Sequence, residues 1–266
     1  MEIEKIKQLK IIDNKTISLV IETYDTIEFL ESVFRLIKDN IDNETLDYFY
    51  ENFNKLENTT VILEIAKILK DKGYNIKISD IFDKIDTYYL DFEDIFLVYD
   101  ILKNENMLNA IYKKVNKTFF EQLARELHFI IKHNNEIDIL EACNNLTNYL
   151  NDYKELITRA LKMVLQEDLI YIKNYNEFVY WLEGLNRRES IYTKRFLLFM
   201  KFIFDNNLQN EFSNEINEFK TVIKKYENEI EKAIKKKMRN KKETIRKQIE
   251  ALILLTENKK LFKYLI

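Results

Sequence analysis

The sequence contains no proline and only two glycines, Gly73 and Gly184, in 266 residues. Turns in β-rich proteins depend on these two residue types, because they supply backbone angles that other residues avoid. Helices can be connected without them, through short stretches of Asn, Asp and Lys such as recur along this chain. The composition therefore predicts an all-α protein.

Cysteine is represented by Cys143 alone, so an intrachain disulfide is excluded and a reducing compartment is favoured. The first ten residues are charged and lack the apolar core of a secretory signal. No window of about 18 apolar residues is present, so we expect no membrane-spanning helix. Together these absences lead us to expect a cytoplasmic protein.

Apolar residues make up 46% of the chain, with 18 Phe and 16 Tyr, which is enough for a substantial core. Polar breaks recur roughly every 12 to 23 residues, so helix pairs span roughly 30 to 40 residues, as in helical-repeat proteins. No known repeat consensus is present. We predict about a dozen helices, arranged as an irregular α-solenoid or as a multi-helix bundle. The run Ile191–Phe204 is apolar nearly all round and predicts a central helix.

Several helix boundaries are indicated by polar residues and by glycine. The pair Asn58-Thr59 predicts a break between helices, and Gly73 predicts the end of the helix that follows, because a Gly just past a C-terminus helps to satisfy free carbonyls. Asp91 predicts the start of a further helix. The pair Asn151-Asp152 predicts a break between two helices.

The clearest periodic signal lies in Asn214–Thr256, where apolar residues are three or four positions apart except at one slot near Lys241. One face of an α-helix has this spacing, and an unbroken helix would be roughly 65 Å long at about 1.5 Å per residue. We therefore predict a helical array over residues 1–205 and a long basic amphipathic helix within residues 206–266. The alternative is a hairpin broken at Arg239–Lys242, with Asn240 as the stop. The apolar residues are Ile216, Phe219, Ile223, Tyr226, Ile230, Ile234, Met238, Ile245, Ile249 and Leu252.

The sequence leaves open whether this C-terminal part packs on the array, in one continuous domain, or projects from it. A projecting helix would offer its apolar stripe to a partner or to a second copy of the chain. A helix lying along the body would place the same stripe in the core. The spacing follows 3.6 residues per turn more closely than 3.5, which favours packing on the body.

Positive charge is concentrated near the C-terminal end. The whole chain carries −3, but the segment from Lys232 to Lys247 carries +8, so the remainder carries −11. Such asymmetry indicates either a partner for the basic segment or its docking on an acidic surface. The nine cations are Lys232, Lys235, Lys236, Lys237, Arg239, Lys241, Lys242, Arg246 and Lys247.

The nine cations admit more than one function. As phosphate contacts they would bind nucleic acid with an affinity that falls steeply with salt. The segment has no aromatic residue for stacking on bases, and no known DNA-binding motif is visible. A solvated helix face, docking on an acidic neighbour, an anionic membrane surface and an acidic protein partner remain open.

A second candidate surface surrounds the only tryptophan. Trp181 precedes Gly184 and the adjacent Arg187 and Arg188. Tryptophan and arginine are enriched at the energetic centres of protein interfaces, so these residues are a candidate interface. The alternative is a buried tryptophan that braces a helix corner.

No arrangement of residues predicts catalysis, a metal site or a cofactor. His128 and His133 are five positions apart and do not share a helix face. Cys143 lies in an apolar stripe, with no histidine near it in sequence. We therefore predict a non-enzymatic protein-interaction or scaffolding protein that binds a protein partner or itself. The alternative is a nucleic-acid-binding accessory protein that uses the basic segment.

Overall fold

The computed structural model describes residues 41, 43–77, 80–81, 83–85, 90–103, 110–133, 135–184, 190–240 and 242–264. Throughout these ranges every regular element is a helix and no strand is present. The predicted all-α fold is confirmed. The first 40 residues of the predicted array, together with Arg187, Arg188 and Lys241, lie outside the described residues.

Ten α-helices and two short 3₁₀ helices make up the described part of the chain. The 3₁₀ helices are Phe53–Lys55 and Lys259–Tyr264. The α-helices are α1 (Asn43–Glu51), α2 (Thr59–Asp71), α3 (Phe92–Lys103), α4 (Ala110–Ile131), α5 (Glu136–Asn174), α6 (Glu177–Glu183), α7 (Ile191–Asp205), α8 (Ser213–Lys224), α9 (Glu227–Lys237) and α10 (Glu243–Thr256).

Contacts between residues divide the chain into two compact units, Met1–Thr118 and Phe119–Ile266. In the first unit, α2 packs against α1 and α3. Its core contains Leu46 of α1, Ile62 and Ile65 of α2 and Ile95 of α3, all fully or almost fully buried.

Helix α2 begins at the predicted break Asn58-Thr59, and the predicted end of α2 and start of α3 are confirmed. The side chain of Asn58 accepts a hydrogen bond from the backbone N–H of Val61 at 3.1 Å, so it caps the start of α2. Gly73 follows the end of α2 with φ at +88°. The carboxylate of Asp91 accepts from the backbone N–H of Asp94 at 2.9 Å and caps α3 in the same way.

The second unit is organised around α7, the helix that the apolar run predicted. Nine of its side chains are buried, because α7 packs against α5, α6 and α10. The predicted central position of this helix is confirmed.

Within α5 the chain reverses direction at Tyr153, whose φ of −121° and ψ of 25° are not helical. Glu136 near the start of α5 and Asp168 near its end pair with consecutive residues of α7. A straight helix would place these two acids roughly 48 Å apart at about 1.5 Å per residue. The two halves of α5 are therefore antiparallel, and they meet next to the predicted break at Asn151-Asp152.

The single long basic helix predicted for Asn214–Thr256 is wrong. The segment forms three helices, α8, α9 and α10, separated at Lys225-Tyr226 and again after Met238. At the second break the side chain of Asn240 accepts from the backbone N–H of Lys242 at 3.0 Å. This break lies where the alternative placed it, although the chain breaks at a further point as well.

The apolar period survives these breaks because each short helix buries its stripe against different neighbours. Helix α8 packs on α5 and α10, α9 packs on α6 and α10, and α10 packs along α7. A compact unit of this size has a radius of gyration of only about 15 Å, so a straight helix of roughly 65 Å could not keep its whole stripe on the core. The predicted division at residue 205 falls between α7 and α8, inside the second unit. None of the described helices is long and apolar enough to cross a membrane.

Candidate functional site

Four lysines and the single tryptophan line one cleft in the second unit, with a volume of about 970 Å³. Lys194 comes from α7, Lys236 and Lys237 from the last turn of α9, and Lys242 from the connection to α10. Trp181, from α6, contributes to the same wall. We call this site the lysine cleft.

The breaks in the predicted long helix are what bring these residues together. Because the chain turns after Met238, the end of α9 and the start of α10 both border the cleft. Helix α6 ends at Gly184, which also lines the cleft and whose φ of +75° lies in the left-handed region that favours glycine. A side chain with a Cβ would be strained there, so the glycine permits the turn at this edge of the cleft.

A chain of hydrogen bonds fixes one wall of the lysine cleft. Trp181 Nε1 donates to Gln248 Oε1 at 2.9 Å, and Gln248 Nε2 donates to Glu136 Oε2 at 2.8 Å. Glu136 also pairs with Lys194, with 3.1 Å between Nζ and Oε1. Burial alone would raise the pKa of Glu136, but Lys194 and the hydrogen bonds from Gln248 and Thr244 hold it below its ordinary value. Glu136 is thus an ionised carboxylate that is already paired with Lys194 and hydrogen-bonded to Gln248.

Lys237 lies against the face of Trp181, with its Nζ 4.5 Å from the ring centroid. Cation–π contacts of this kind are favourable, more so where water is excluded. Burial, together with the positive charges of Lys194 and Lys236, lowers the pKa of Lys237 to about 8, while Glu136 opposes the shift. The cleft thus crowds more positive charge together than its own acids neutralise.

Lys236 is positioned by the end of α6. Its Nζ donates to the backbone carbonyl of Glu183 at 2.9 Å, at the negative end of that helix dipole. The other acid that lines the cleft, Glu243, pairs with Lys247 at 3.4 Å. No carboxylate of the described residues lies within ion-pair distance of Lys236, Lys237 or Lys242.

The remaining predicted cations are distributed differently. Lys235 pairs with Glu231 at 3.1 Å, and Arg246 lies 3.7 Å from Glu250. Both pairs are i,i+4 contacts along one helix. Lys232 and Arg239 are exposed to solvent. The structure therefore divides the basic segment into cations that line the cleft, of which Lys236 and Lys242 are exposed, and cations that do not line it.

An ion pair that sequence analysis missed lies in the core of the same unit. Arg195 of α7 and Asp168 of α5 are both 0% exposed. Arg195 Nε donates to Asp168 Oδ1 at 3.1 Å, Nη2 donates to the same oxygen at 2.5 Å, and Nη1 donates to the carbonyl of His133 at 3.2 Å. The sequence did contain a sign of this pair. Arg195 and Asp168 each lie among apolar residues of a helix, and a charged residue in that position is expected to have a buried partner of opposite charge.

Glu177, at the start of α6, is a second buried acid that the sequence did not reveal. Its side chain accepts hydrogen bonds from the backbone N–H groups of Tyr192 and Thr193 in the first turn of α7. Burial raises its pKa to about 7, and its Oε2 has no hydrogen-bond partner among the described residues. Because it accepts from these N–H groups, we assign Glu177 a structural role in capping the start of α7.

Neither a metal-binding cluster nor a reactive cysteine lies among the described residues. No group of three or more His, Cys, Asp or Glu side chains is placed to hold a metal ion there. Cys143 is buried, and burial raises the pKa of its thiol to about 12, so the thiolate is scarce at neutral pH. No protein-family model, curated protein or solved structure matches this chain.

Proposed function

We propose that this chain is a non-enzymatic binding protein, and that its second unit receives an acidic segment of a protein partner in the lysine cleft. The observation that carries the proposal is the uncompensated charge around Trp181. Lys236, Lys237 and Lys242 border one cavity, and the two acids that line it in the described part of the chain are already paired with other lysines.

An anionic partner would remove an electrostatic cost that the unit bears alone. Cations that border one cleft repel one another, and water screens that repulsion less for the half-buried Lys237 than for a fully exposed side chain. Carboxylates from a partner would supply the missing countercharge. The same effect would raise the pKa of Lys237 towards its ordinary value on binding.

Apolar side chains at the cleft favour a peptide over a simple anion. Ile137, at the start of α5, lines the cleft and is 68% exposed, and Ile191 and Ile245 line it as well. Aliphatic surface beside positive charge suits a segment in which acidic and aliphatic residues alternate.

Nucleic acid is the less favoured ligand on this geometry. Among the described residues that line the cleft, Trp181 is the only aromatic one, and it is 1% exposed with Lys237 against its face. It is therefore not available for stacking on bases. Lys235, Arg246 and Lys247 also have acids beside them on their own helices.

The first prediction uses Trp181, the only tryptophan of the chain, as a fluorescent reporter. A synthetic peptide that alternates Glu and Leu is titrated into the full chain, and a single-stranded oligonucleotide of equal charge is titrated in parallel. We expect the peptide to change the fluorescence saturably and to bind more tightly than the oligonucleotide. The double substitution Lys236→Glu and Lys242→Glu should weaken peptide binding at least about tenfold, because two attractive charges become repulsive.

The matched control is Lys224→Glu with Lys225→Glu, which makes the same charge change at exposed positions outside the cleft lining. It should leave peptide affinity within about twofold of the parent. Equal weakening by both double substitutions would show attraction to the net charge alone and would reject the cleft. Tighter binding of the oligonucleotide would reject the acidic segment in favour of nucleic acid.

A further inference from the structure

The amino group of Lys237 occupies an environment unlike that of an ordinary surface lysine. The side chain is half-buried, and its Nζ lies 4.5 Å from the centroid of the Trp181 ring. No carboxylate of the described residues pairs with it. Nevertheless the residue lines a cavity of about 970 Å³, which a small molecule can enter.

The charged groups facing Lys237 come from several elements. Lys194 of α7 and Lys236 of α9 are the cations that act on it, and Glu136 of α5 is the opposing acid. Lys242 and Glu243 complete the charged lining. Glu136 is held by Lys194 and Gln248, and Glu243 by Lys247, so neither acid directly neutralises Lys237.

Burial and neighbouring cations both favour the neutral amine and so make a lysine more nucleophilic, and at Lys237 they act against the preference of the Trp181 ring for the charged form. The lowered pKa of Lys237, about 8, agrees with this geometry. A lysine with an ordinary pKa is almost entirely protonated at neutral pH and has no free electron pair to donate.

We infer that Lys237 is a reactive amine that forms an imine with small aldehydes or ketones carrying an anionic group, such as a phosphate or a carboxylate. The anionic group would be held by Lys236 and Lys242 while the carbonyl carbon reaches Lys237 Nζ. This site uses the lysine cleft but does not require a protein partner.

The reaction needs no oxidant or other co-reactant. The electron pair of Lys237 Nζ forms a bond to the carbonyl carbon, and the carbonyl oxygen takes up a proton to give a carbinolamine. The carbon–oxygen bond then breaks, and the oxygen leaves as water with a proton from the nitrogen. The products are an imine and one water molecule, and the step reverses when water is added back.

The second prediction tests this with pyridoxal 5′-phosphate as the probe. The full chain is incubated with a small excess of probe at about neutral pH, reduced with borohydride, and its peptides are mapped by mass spectrometry. We expect Lys237 to carry at least about tenfold more adduct than exposed Lys225, since a far larger share of its amine is neutral. Half-maximal labelling of Lys237 should fall near pH 8.

Two comparisons make the result decisive. Lys237→Arg should abolish the dominant adduct, whereas Lys225→Arg should leave it in place. Pyridoxal without the phosphate should label Lys237 several-fold less, because Lys236 and Lys242 then hold nothing. Equal labelling by the two aldehydes would overturn the anionic ligand class, and labelling spread evenly over the lysines would overturn the reactive amine.

This experiment separates the inference from the acidic-segment proposal. Imine formation at Lys237 in a protein that binds no acidic peptide would reject only the proposed function. Peptide binding without preferential labelling of Lys237 would reject only the reactive amine.

Discussion

Arg195 and Asp168 show how strongly one buried contact constrains its residues. Transferring two charges out of water is costly, and their mutual attraction offsets that cost only with good geometry and further hydrogen bonds. Arg195 meets the requirement with bonds to the carboxylate and to the carbonyl of His133. The consequence is an asymmetry: the intact pair contributes little net stability, but loss of one member leaves a bare charge in the core.

The third prediction follows from that asymmetry. Arg195→Met should lower the free energy of unfolding by about 3–5 kcal/mol, because Asp168 is left buried without a cation. Urea unfolding followed by circular dichroism measures the loss. The double variant that adds Asp168→Leu should recover much of it.

Arg159 supplies the matched control for this measurement. It pairs with Glu121 at 2.8 Å, but both side chains are partly exposed. Arg159→Met should cost no more than about 1 kcal/mol, as is usual for surface pairs. A similar loss for both arginine variants would contradict the reasoning from burial.

At the scale of single residues, the sequence predicted the cations but not their sorting. Counting charges identified nine cations, of which Lys236, Lys237 and Lys242 line the cleft. Of the other six, five do not line it and Lys241 lies outside the described residues. Their convergence depends on contacts across the unit, above all with Trp181 and Lys194, which no spacing along the chain encodes. The prediction for Trp181 as an interface residue is not tested by its burial.

Helix elements illustrate what periodicity does and does not determine. A run of apolar residues at helical spacing fixes which face is buried, but it does not fix whether the axis continues. At Lys225-Tyr226 the stripe continues while the helix ends, and the ring of Tyr226 packs edge-on against Phe178 at 5.8 Å. We attribute this break to tertiary packing, because the sequence has no proline or glycine at this position.

The fourth prediction concerns the end of α6. Gly184 has φ of +75°, and a Cβ there would meet Lys236 Nζ at 3.6 Å, an ordinary van der Waals contact. Gly184→Ala should therefore lower the free energy of unfolding by about 1 kcal/mol, through backbone strain and not through a clash. Thermal unfolding detects a change of this size.

Substitution by asparagine distinguishes backbone strain from steric crowding. Asparagine tolerates left-handed backbone angles better than alanine, although its side chain is larger. Gly184→Asn should cost about half as much as Gly184→Ala. A greater loss with Asn would indicate that crowding against Lys236 dominates.

For the whole molecule, composition was the most informative property. The absence of proline and the scarcity of glycine were sufficient to predict an all-α fold, since the tight turns between β-strands depend on these two residue types. The arrangement of the helices was not predictable, because a stripe of Ile and Leu does not specify which other stripe covers it.

The fifth prediction concerns how the stability of the second unit depends on pH. Glu177 has a folded-state pKa of about 7, above its ordinary value, so the folded state binds the proton more tightly than the unfolded state. The contribution of Glu177 to stability is therefore present below about pH 4.5 and is lost as pH rises through about 7. Glu177→Gln removes this loss and should make the variant about 1–3 kcal/mol more stable, relative to the parent, at pH 8 than at pH 5.

Glu257 provides a control with the opposite sign. Its pKa is held below the ordinary value by Lys220, so its favourable contribution is present above the ordinary pKa and is lost as pH falls. Glu257→Gln should lose stability relative to the parent as pH rises from about 3 to about 6. Parallel pH profiles for the parent and Glu177→Gln would refute the assignment of the buried acid.

The hydrogen bond from Gln248 to Glu136 joins residues 112 positions apart. The wall that contains Glu136 and Trp181 is therefore completed only by Gln248, which leaves the ribosome well after those two residues. Until α10 has been synthesised and docked, Trp181 has no acceptor for its indole N–H, and the cleft lacks Lys242. The complete cleft, and with it any ligand binding there, is therefore expected only after α10 has been translated.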